Sequence, residues 1–461
     1  MENAKATSAA NSKTAKLSFK EKLGYGLGDL GNGFMFDMGQ LFLLKFYTDV
    51  LGISPAFGGL VFLVSKISDA FVDSSVGAYL DGRTKFGKNG KFRPFIKNGT
   101  IPLALMTVIT FCAPNVSVNL KIFYAFATYI IWNAMYSVVN IPYGSLAAAM
   151  SQDPVERTQL SSFRNAGSVL GMAICGMVVV PLMMMFPTPK IGYPAAIGMM
   201  SVLGVICHLL CYKFCKENII VKPKEGEKID LGKAYKSLLH NRPLIAILLV
   251  FVFSISVQFL KSGVQIYFLQ YNLGNPKLLS QLSMVVLVFQ LAAIFIAPFL
   301  VKKFGKKYVY AIGLSICVVA DLCNFFIPTS YSSFVALWCV AQFGLAIGSA
   351  VSWAMISDCI EYGEWQSGQR TEGVVYSTAS FSRKIAQALA GFIPGVVLTI
   401  IGYVPNAQQS AATLVGIRQL MFLYPAILLS VAILCLIFVH NLSDHRYKEI
   451  LVELGSRKAT V

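Results

Sequence analysis

Long apolar stretches separated by short polar connections recur twelve times along the chain, at approximately residues 23–48, 55–80, 94–114, 121–143, 164–187, 193–214, 243–271, 279–301, 308–328, 332–358, 374–402 and 416–440. Each is long enough to cross a hydrocarbon core of about 30 Å as a helix. The pattern therefore predicts an all-α membrane protein of twelve spans. Composition agrees, because 461 residues that are 56% hydrophobic and 13% charged, with mean hydropathy +0.63, are too apolar for a soluble chain of this length.

The formal net charge is +17, a value that would suit a nucleic-acid binder, but its placement excludes that partner. The two ends and the even-numbered connections hold 28 of the 39 Lys and Arg, counting the basic segment from Lys213 to Arg242. The odd-numbered connections hold Lys121, Lys190 and Lys277. This asymmetry is an orientation signal, and it predicts a multi-pass protein of the cell inner membrane with both termini cytoplasmic. The ten cysteines lie almost entirely in apolar runs, where they behave as small hydrophobes, so the row Cys207, Cys211 and Cys215 beside His208 is not read as a metal site. No nucleophile elbow, HExxH, phosphate loop or dinucleotide fingerprint stands in a suitable context, so neither enzyme activity nor a cofactor is expected.

Short echoes suggest duplication. Phe86-Gly-Lys88 returns as Phe304-Gly-Lys306, an offset of 218, and Leu51-Gly52 returns as Leu273-Gly274, an offset of 222. The expected organisation is a cytoplasmic tail (1–20), a six-helix half (21–215), a central cytoplasmic loop (216–242), a second six-helix half (243–440) and a tail (441–461), the halves forming a parallel repeat with substrate bound between them.

The most charged apolar stretch is Lys66-Ile-Ser-Asp69-Ala-Phe-Val-Asp73, whose ionisable residues share one helical face. Leaving one such group at mid-membrane depth costs about 2.5–3.5 kcal/mol, so three together imply partners, water or a task. Either a structural ion pair or a cation-coupling site meets that requirement. Two carboxylates a turn apart repel in low dielectric, so one should take up a proton unless a cation such as Lys384 neutralises the pair.

Further polar positions fall inside other spans. Asp29 and Asn32 mark the first as lining a cavity, and Asn133, Tyr136, Ser137 and Asn140 recur at helical spacing, a face suited to sugar hydroxyls or to a polar seam. Arg164 opens the fifth span with a fork of donors for hydroxyl pairs or a carboxylate. In the second half, Lys261 and Asp321 each stand as a lone interhelical partner, and Trp353 and Ser380 face the same chemistry as the first-half groups. Asp358, Glu361, Glu364 and Arg370 cluster at the cytoplasmic edge, as a salt-bridge gate or as solvated loop charge.

These residues resemble the glycoside/pentoside/hexuronide:cation symporter family, which includes melibiose, xyloside and glucuronide permeases. The resemblance runs from Tyr25-Gly-Leu-Gly-Asp29 and Tyr47-Thr-Asp49 through Asp69-Ala-Phe-Val-Asp73, Asn140-Ile-Pro-Tyr-Gly-Ser145, Glu156-Arg-Thr-Gln-Leu160 and Glu361-Tyr-Gly-Glu364 to Lys384. The pattern is most similar to that of bacterial glucuronide carriers. It implies a major-facilitator-type carrier, functional as a monomer in the bilayer, that takes up a sugar with H+ or Na+ by alternating access. The resemblance places the coupling cation at Asp69 and Asp73 with Lys384 near them, puts Arg164 near the sugar, and matches Lys66 to a basic residue one turn before the first carboxylate; the polar faces themselves add Ser137 to the cation-coupling residues and Lys66 to the sugar-binding ones.

The sodium-using melibiose pattern is departed from at Val72, which replaces a cation-site asparagine, and at Gly33, Asn140 and Gly144, which replace two acids and a tryptophan that hold the galactoside. The departures point toward a proton and an anionic hexuronide. A sodium-coupled neutral glycoside carrier and a lipid or lysolipid symporter are the alternatives on the same scaffold. A receptor or assembly scaffold would be expected to carry a larger loop domain.

Overall fold

The computed structural model describes residues 16–82, 89–151, 153–218, 241–327, 330–368 and 372–459. All regular structure among them is helical, and the chain divides into two compact units: Met1–Glu225 with Pro276–Ser283, and Gly226–Asn275 with Met284–Val461.

The first unit begins with α1 (Phe19–Asn32), whose N-terminus is closed by a reciprocal cap: Glu21 N–H donates to Ser18 Oγ at 3.3 Å, and Ser18 N–H donates to the Glu21 carboxylate at 2.9 Å. A π turn over Gly33–Asp37 leads to α2 (Gly39–Phe46), and a second over Tyr47–Leu51 ends at Gly52 in the left-handed region, φ 77°. Then follow α3 (Pro55–Gly82), α4 (Arg93–Thr110), α5 (Val118–Met150), α6 (Pro154–Met183) and α7 (Pro189–Phe214). Helix α1 packs against α6 and α7, α4 against α5 and α7, and α3 against α5. Backbones meet where α1 crosses α6: a Cβ on Gly167 would lie 2.1 Å from the Gly26 carbonyl oxygen. In a bilayer, where lipid tails are as apolar as leucine, such close contact supplies the packing that helix association depends on.

The second unit starts with α8 (Arg242–Tyr267), capped by the Asn241 side chain, and a π turn over Phe268–Asn272. Helices α9 (Leu278–Phe304), α10 (Lys306–Phe326), α11 (Tyr331–Ser367) and α12 (Glu372–Ile400) follow. The last apolar stretch is broken by π turns into α13 (Ala411–Arg418) and α14 (Tyr424–Leu434), and the chain ends in α15 (Asp444–Ala459). Helix α10 lies along α11 through Gly313 and Gly344, where a Cβ on either would approach the other's carbonyl oxygen within 2.4–2.6 Å. The segment expected only as a tail is thus a helix. Its Ile450 and Leu454 are buried with Leu442 against Tyr362 and Trp365, and Trp365 Nε1 donates to Glu453 at 2.5 Å. Outside that contact, the bond from Arg446 (2.6 Å) holds the exposed Glu449 carboxyl below its usual range.

Both units use one device at the start of a helix. In the first, both carboxylate oxygens of Glu217 accept from the amides of Lys91, Phe92 and Arg93 at 2.7–2.9 Å, beside Gly90 at φ 87°. In the second, Asp444 Oδ2 accepts from the Lys306 amide at 2.9 Å, beside Gly305 at φ 82°. Each carboxylate satisfies orphan N–H groups and meets the positive end of the helix dipole.

Ten helices among the described residues are long and apolar enough to cross a membrane, against the twelve spans expected. The two not counted are the first, which carries Asp29, Asp37, Lys45 and Asp49 and is interrupted by π turns, and α4, which is 18 residues long and includes Arg93 and Lys97. Gly167→Ala should lower the stability of the detergent-solubilised protein by about 1–3 kcal/mol through overpacking, whereas Gly77→Ala, where a Cβ meets nothing within 4 Å, should be neutral or stabilising. Thermal unfolding of the two variants checks this.

Candidate functional site

The shared face of α3 forms as its spacing predicts, and α5 supplies what its charges need. Ser137 Oγ donates to Asp69 Oδ1 at 3.1 Å, while Lys66 Nζ stands 3.6 Å from Asp69 Oδ2 and donates to Asn133 Oδ1 at 3.4 Å. Asp69, Asn133 and Ser137 are buried. The Lys66 ammonium also lies 5.4 Å from the centre of the Phe36 ring, which stacks on Tyr136 at 3.7 Å and 5°. Phe36 belongs to the first π turn, so the local widening of α1 brings an aromatic face to the lysine. Asp73 is one turn further along α3 and partly buried.

One to two turns along α5 lies a second group. Asn32 Nδ2 donates to Asp29 Oδ1 at 3.0 Å and to Asn140 Oδ1 at 3.2 Å, and Arg164 Nε of α6 stands 3.5 Å from Asp29 Oδ2. The Arg164 guanidinium lies over the Tyr143 ring at 5.1 Å, and Tyr143 in turn stacks on Tyr25 and donates to its carbonyl at 2.6 Å. The Arg164 side chain keeps 34% of its surface exposed, so the fork is held in place while part of it stays accessible. Seven residues of α5 separate Asn133 from Asn140, about 10 Å along the helix, a span comparable with a glycoside. Further along the first span, Lys45 and Asp49 form a pair with buried side chains, and Thr48 donates to Asp49 at 2.6 Å.

The second unit's residues are arranged differently. Trp353 of α11 is 41% exposed and meets Phe251 edge-on at 5.1 Å. Ser380 is exposed on α12, and Lys384 is partly buried one turn later. Asp358 is gripped by Lys306 Nζ through both oxygens at 2.6 and 2.7 Å, with Lys306 also over the Tyr447 ring of α15 at 4.9 Å. Glu361 and Glu364 follow on the same helix, and Arg370 lies outside the described residues.

Sequence reasoning left Lys261 and Asp321 apart, and the structure joins them. Lys261 Nζ donates to Asp321 Oδ1 at 2.6 Å between α8 and α10, both fully buried, with Cys317 Sγ 3.7 Å and the centre of the Trp338 ring 4.9 Å from the ammonium. Each was visible as a charge inside an apolar span, but the spans are separated by α9 and their adjacency had no signal in the sequence. Tyr25, Phe36 and Tyr143 were also missed as parts of the site, because aromatic residues in an apolar span read as core.

The sequence pattern of the family described as MFS/sugar transport protein matches residues 24–444. An uncharacterized symporter of Bacillus subtilis is 46% identical over 96% of both chains. A putative sulfoquinovose importer of Escherichia coli is 39% identical over 97% of this chain and 96% of its own, and a glucuronide carrier protein homolog of the same organism is 34% identical over 96% and 97%. The expected special likeness to glucuronide carriers is corrected by these figures, since the other two relatives are more similar. The solved structure of a bacterial homolog of the lysosomal transporter Spinster, inward-facing and unoccupied, is similar in fold, with TM-score 0.68 at 12% identity over 94% of this chain and 97% of its own.

For the buried pair, Lys261→Met or Asp321→Leu alone should destabilise the protein by about 3–5 kcal/mol, because each strands a charge, and the double variant should recover most of the loss. Thermal inactivation of the three purified variants checks this.

Proposed function

Since this chain belongs to the MFS/sugar transport protein family, whose members are secondary active transporters and not enzymes, we propose that it carries an anionic sugar, such as a glucuronide or related hexuronide, into the cell together with a proton. The observation that carries this reading is the Asp69 carboxylate, buried in an apolar helix yet held by Lys66 and Ser137. A titratable group so placed can load and release a proton as access alternates. Asp73 is the second coupling carboxylate, and Val72 between them removes an oxygen that a sodium ion would use. Arg164, Asp29, Asn32, Lys66, Asn133, Tyr136 and Asn140 bind the substrate, whose acid group is attracted to the Arg164 fork and whose hydroxyls meet the amides. Trp353, Ser380 and Lys384 enter the proposal on sequence grounds alone.

The carrier is proposed to have twelve spans in two six-helix repeats, to work as a monomer in the inner membrane, and to keep both termini in the cytoplasm. Asp358, Glu361, Glu364 and Arg370 are proposed as its cytoplasmic gate, in which the grip of Lys306 on Asp358 changes as the gate opens. The likeness to a putative sulfoquinovose importer supports an anionic substrate, because a sulfonate and a carboxylate present the same charge to an arginine.

Asp69→Asn and Asp73→Asn should each abolish uphill accumulation while leaving substrate exchange. Counterflow and pH-driven uptake in vesicles measure the two separately, and normal accumulation in both variants would remove this site from the mechanism. Symport of one proton with a monoanion is electroneutral, whereas a neutral glycoside with one proton gains about 2.3 kcal/mol per 100 mV, roughly 40-fold accumulation. With the pH gradient clamped at zero and a potassium-diffusion potential imposed, glucuronide uptake should not respond to voltage when the Asp69/Asp73 proton is the one carried with the anion, and should respond as a single positive charge when a second, separately bound proton crosses with it. Voltage-driven accumulation of an aryl glucoside, with no glucuronide transport, would establish the neutral-glycoside reading instead.

A further inference from the structure

The charges around Asp29 leave no room for a second anion without a proton. Arg164 is permanently charged, and its Nε faces Asp29 Oδ2 at 3.5 Å, so the two form a neutral pair. An acid group arriving on the Arg164 fork gives one cation two carboxylates. Like charges so placed favour protonation of one of them. Lys66 is already matched by Asp69, so the surplus negative charge falls on the Arg164 pair.

On the reading that Arg164 receives the substrate's acid group, we propose that Asp29 is a substrate-linked proton site, distinct from Asp69 and Asp73, which takes up a proton when an anionic sugar binds and gives it back when the sugar leaves. The Arg164–Asp29 contact is exchanged for an Arg164–substrate contact, and a proton from water goes to an Asp29 oxygen. The bound site then carries the same net charge as the empty one.

A second observation fits the same exchange. Asn32 Nδ2 points at Asp29 and Asn140, while Asn32 Oδ1 is buried with no partner. An unmatched buried carbonyl is costly. Turning the amide over presents that oxygen to Asp29, where it accepts the proton of the neutral acid, so the empty site already holds the acceptor that the loaded site needs.

The other groups facing Asp29 do not compete for the proton. Tyr25 on its own helix, Tyr143 of α5 and Cys211 of α7 carry phenol and thiol groups, which are ordinarily neutral at pH 7. His208 of α7 is engaged at both ring nitrogens, by Gly28 O and Thr100 Oγ1 at 3.1 Å each. Arg164 is the cation being shared.

The test is calorimetric titration of the full-length protein with methyl β-D-glucuronide, in buffers of different ionisation enthalpy, with methyl β-D-glucoside as the neutral probe. Wild type should take up about one proton per glucuronide and none with the glucoside, and its glucuronide affinity should fall about tenfold per pH unit on the alkaline side. Asp29→Asn, which mimics the neutral acid, should bind glucuronide with no proton uptake and flat pH dependence, at least tenfold tighter than wild type at pH 8. Asp29→Glu should retain the uptake, which separates loss of the acid from a folding defect.

Wild-type binding of glucuronide without proton uptake would overturn the proposal and leave the anionic-sugar reading standing. Uptake that persists in Asp29→Asn and vanishes in Asp69→Asn would move the site to Asp69. Binding of the glucoside with none of the glucuronide would sink both the proposal and the reading it rests on.

Discussion

A charge carried into an apolar helix must find its counter-charge close by, and much of this molecule is arranged to meet that condition. Lys45 with Asp49, Lys66 with Asp69, Arg164 with Asp29, and Lys261 with Asp321 are each matched inside one compact unit. Pairing within a unit lets that unit be stable by itself, and the two pairs that join different helices, Arg164–Asp29 and Lys261–Asp321, also hold those helices as neighbours. The cost of failing to pair, several kcal/mol for each stranded ion, is comparable with the whole stability of many domains.

The pairs are not equivalent. Lys261 and Asp321 are sealed from solvent and bonded at 2.6 Å, a geometry that leaves the charges no other partner to exchange with. Lys66–Asp69 and Arg164–Asp29 are looser, at 3.6 and 3.5 Å, and Arg164 remains one-third exposed. A short, dry pair holds two helices in register, whereas a long, partly wetted one can be traded for a ligand. The same chemistry therefore suits a fastening in one unit and the recognition surface proposed for the other.

Much of this was legible in the chain. The apolar periodicity gave the helices, and the spacing of Lys66, Asp69 and Asp73 gave one face, because a helix fixes which residues are neighbours without reference to anything else. The polar row on α5 was legible for the same reason. Pairings across helices were less accessible: nothing local says that α8 lies against α10, so Lys261 and Asp321 could not be joined, and Asp358 could not be given to Lys306. The π turns in the first helix were also unreadable, since they add a residue to a turn without any distinctive composition. For that reason Phe36 was not assigned to the lysine it faces.

The carboxylates of Glu217 and Asp444 have a consequence for how the chain comes into being. Each caps a helix start that precedes it by more than a hundred residues, 126 for Lys91 with Glu217 and 138 for Lys306 with Asp444. A nascent chain that has delivered α4 to the membrane still has uncapped amides at the start of that helix, and they remain so until the residues after α7 leave the ribosome. The closing bond therefore forms only after the helices it fastens have all been made, and a fragment that stops at the last apolar residue of α7 would have α1 to α7 and still lack its fastening.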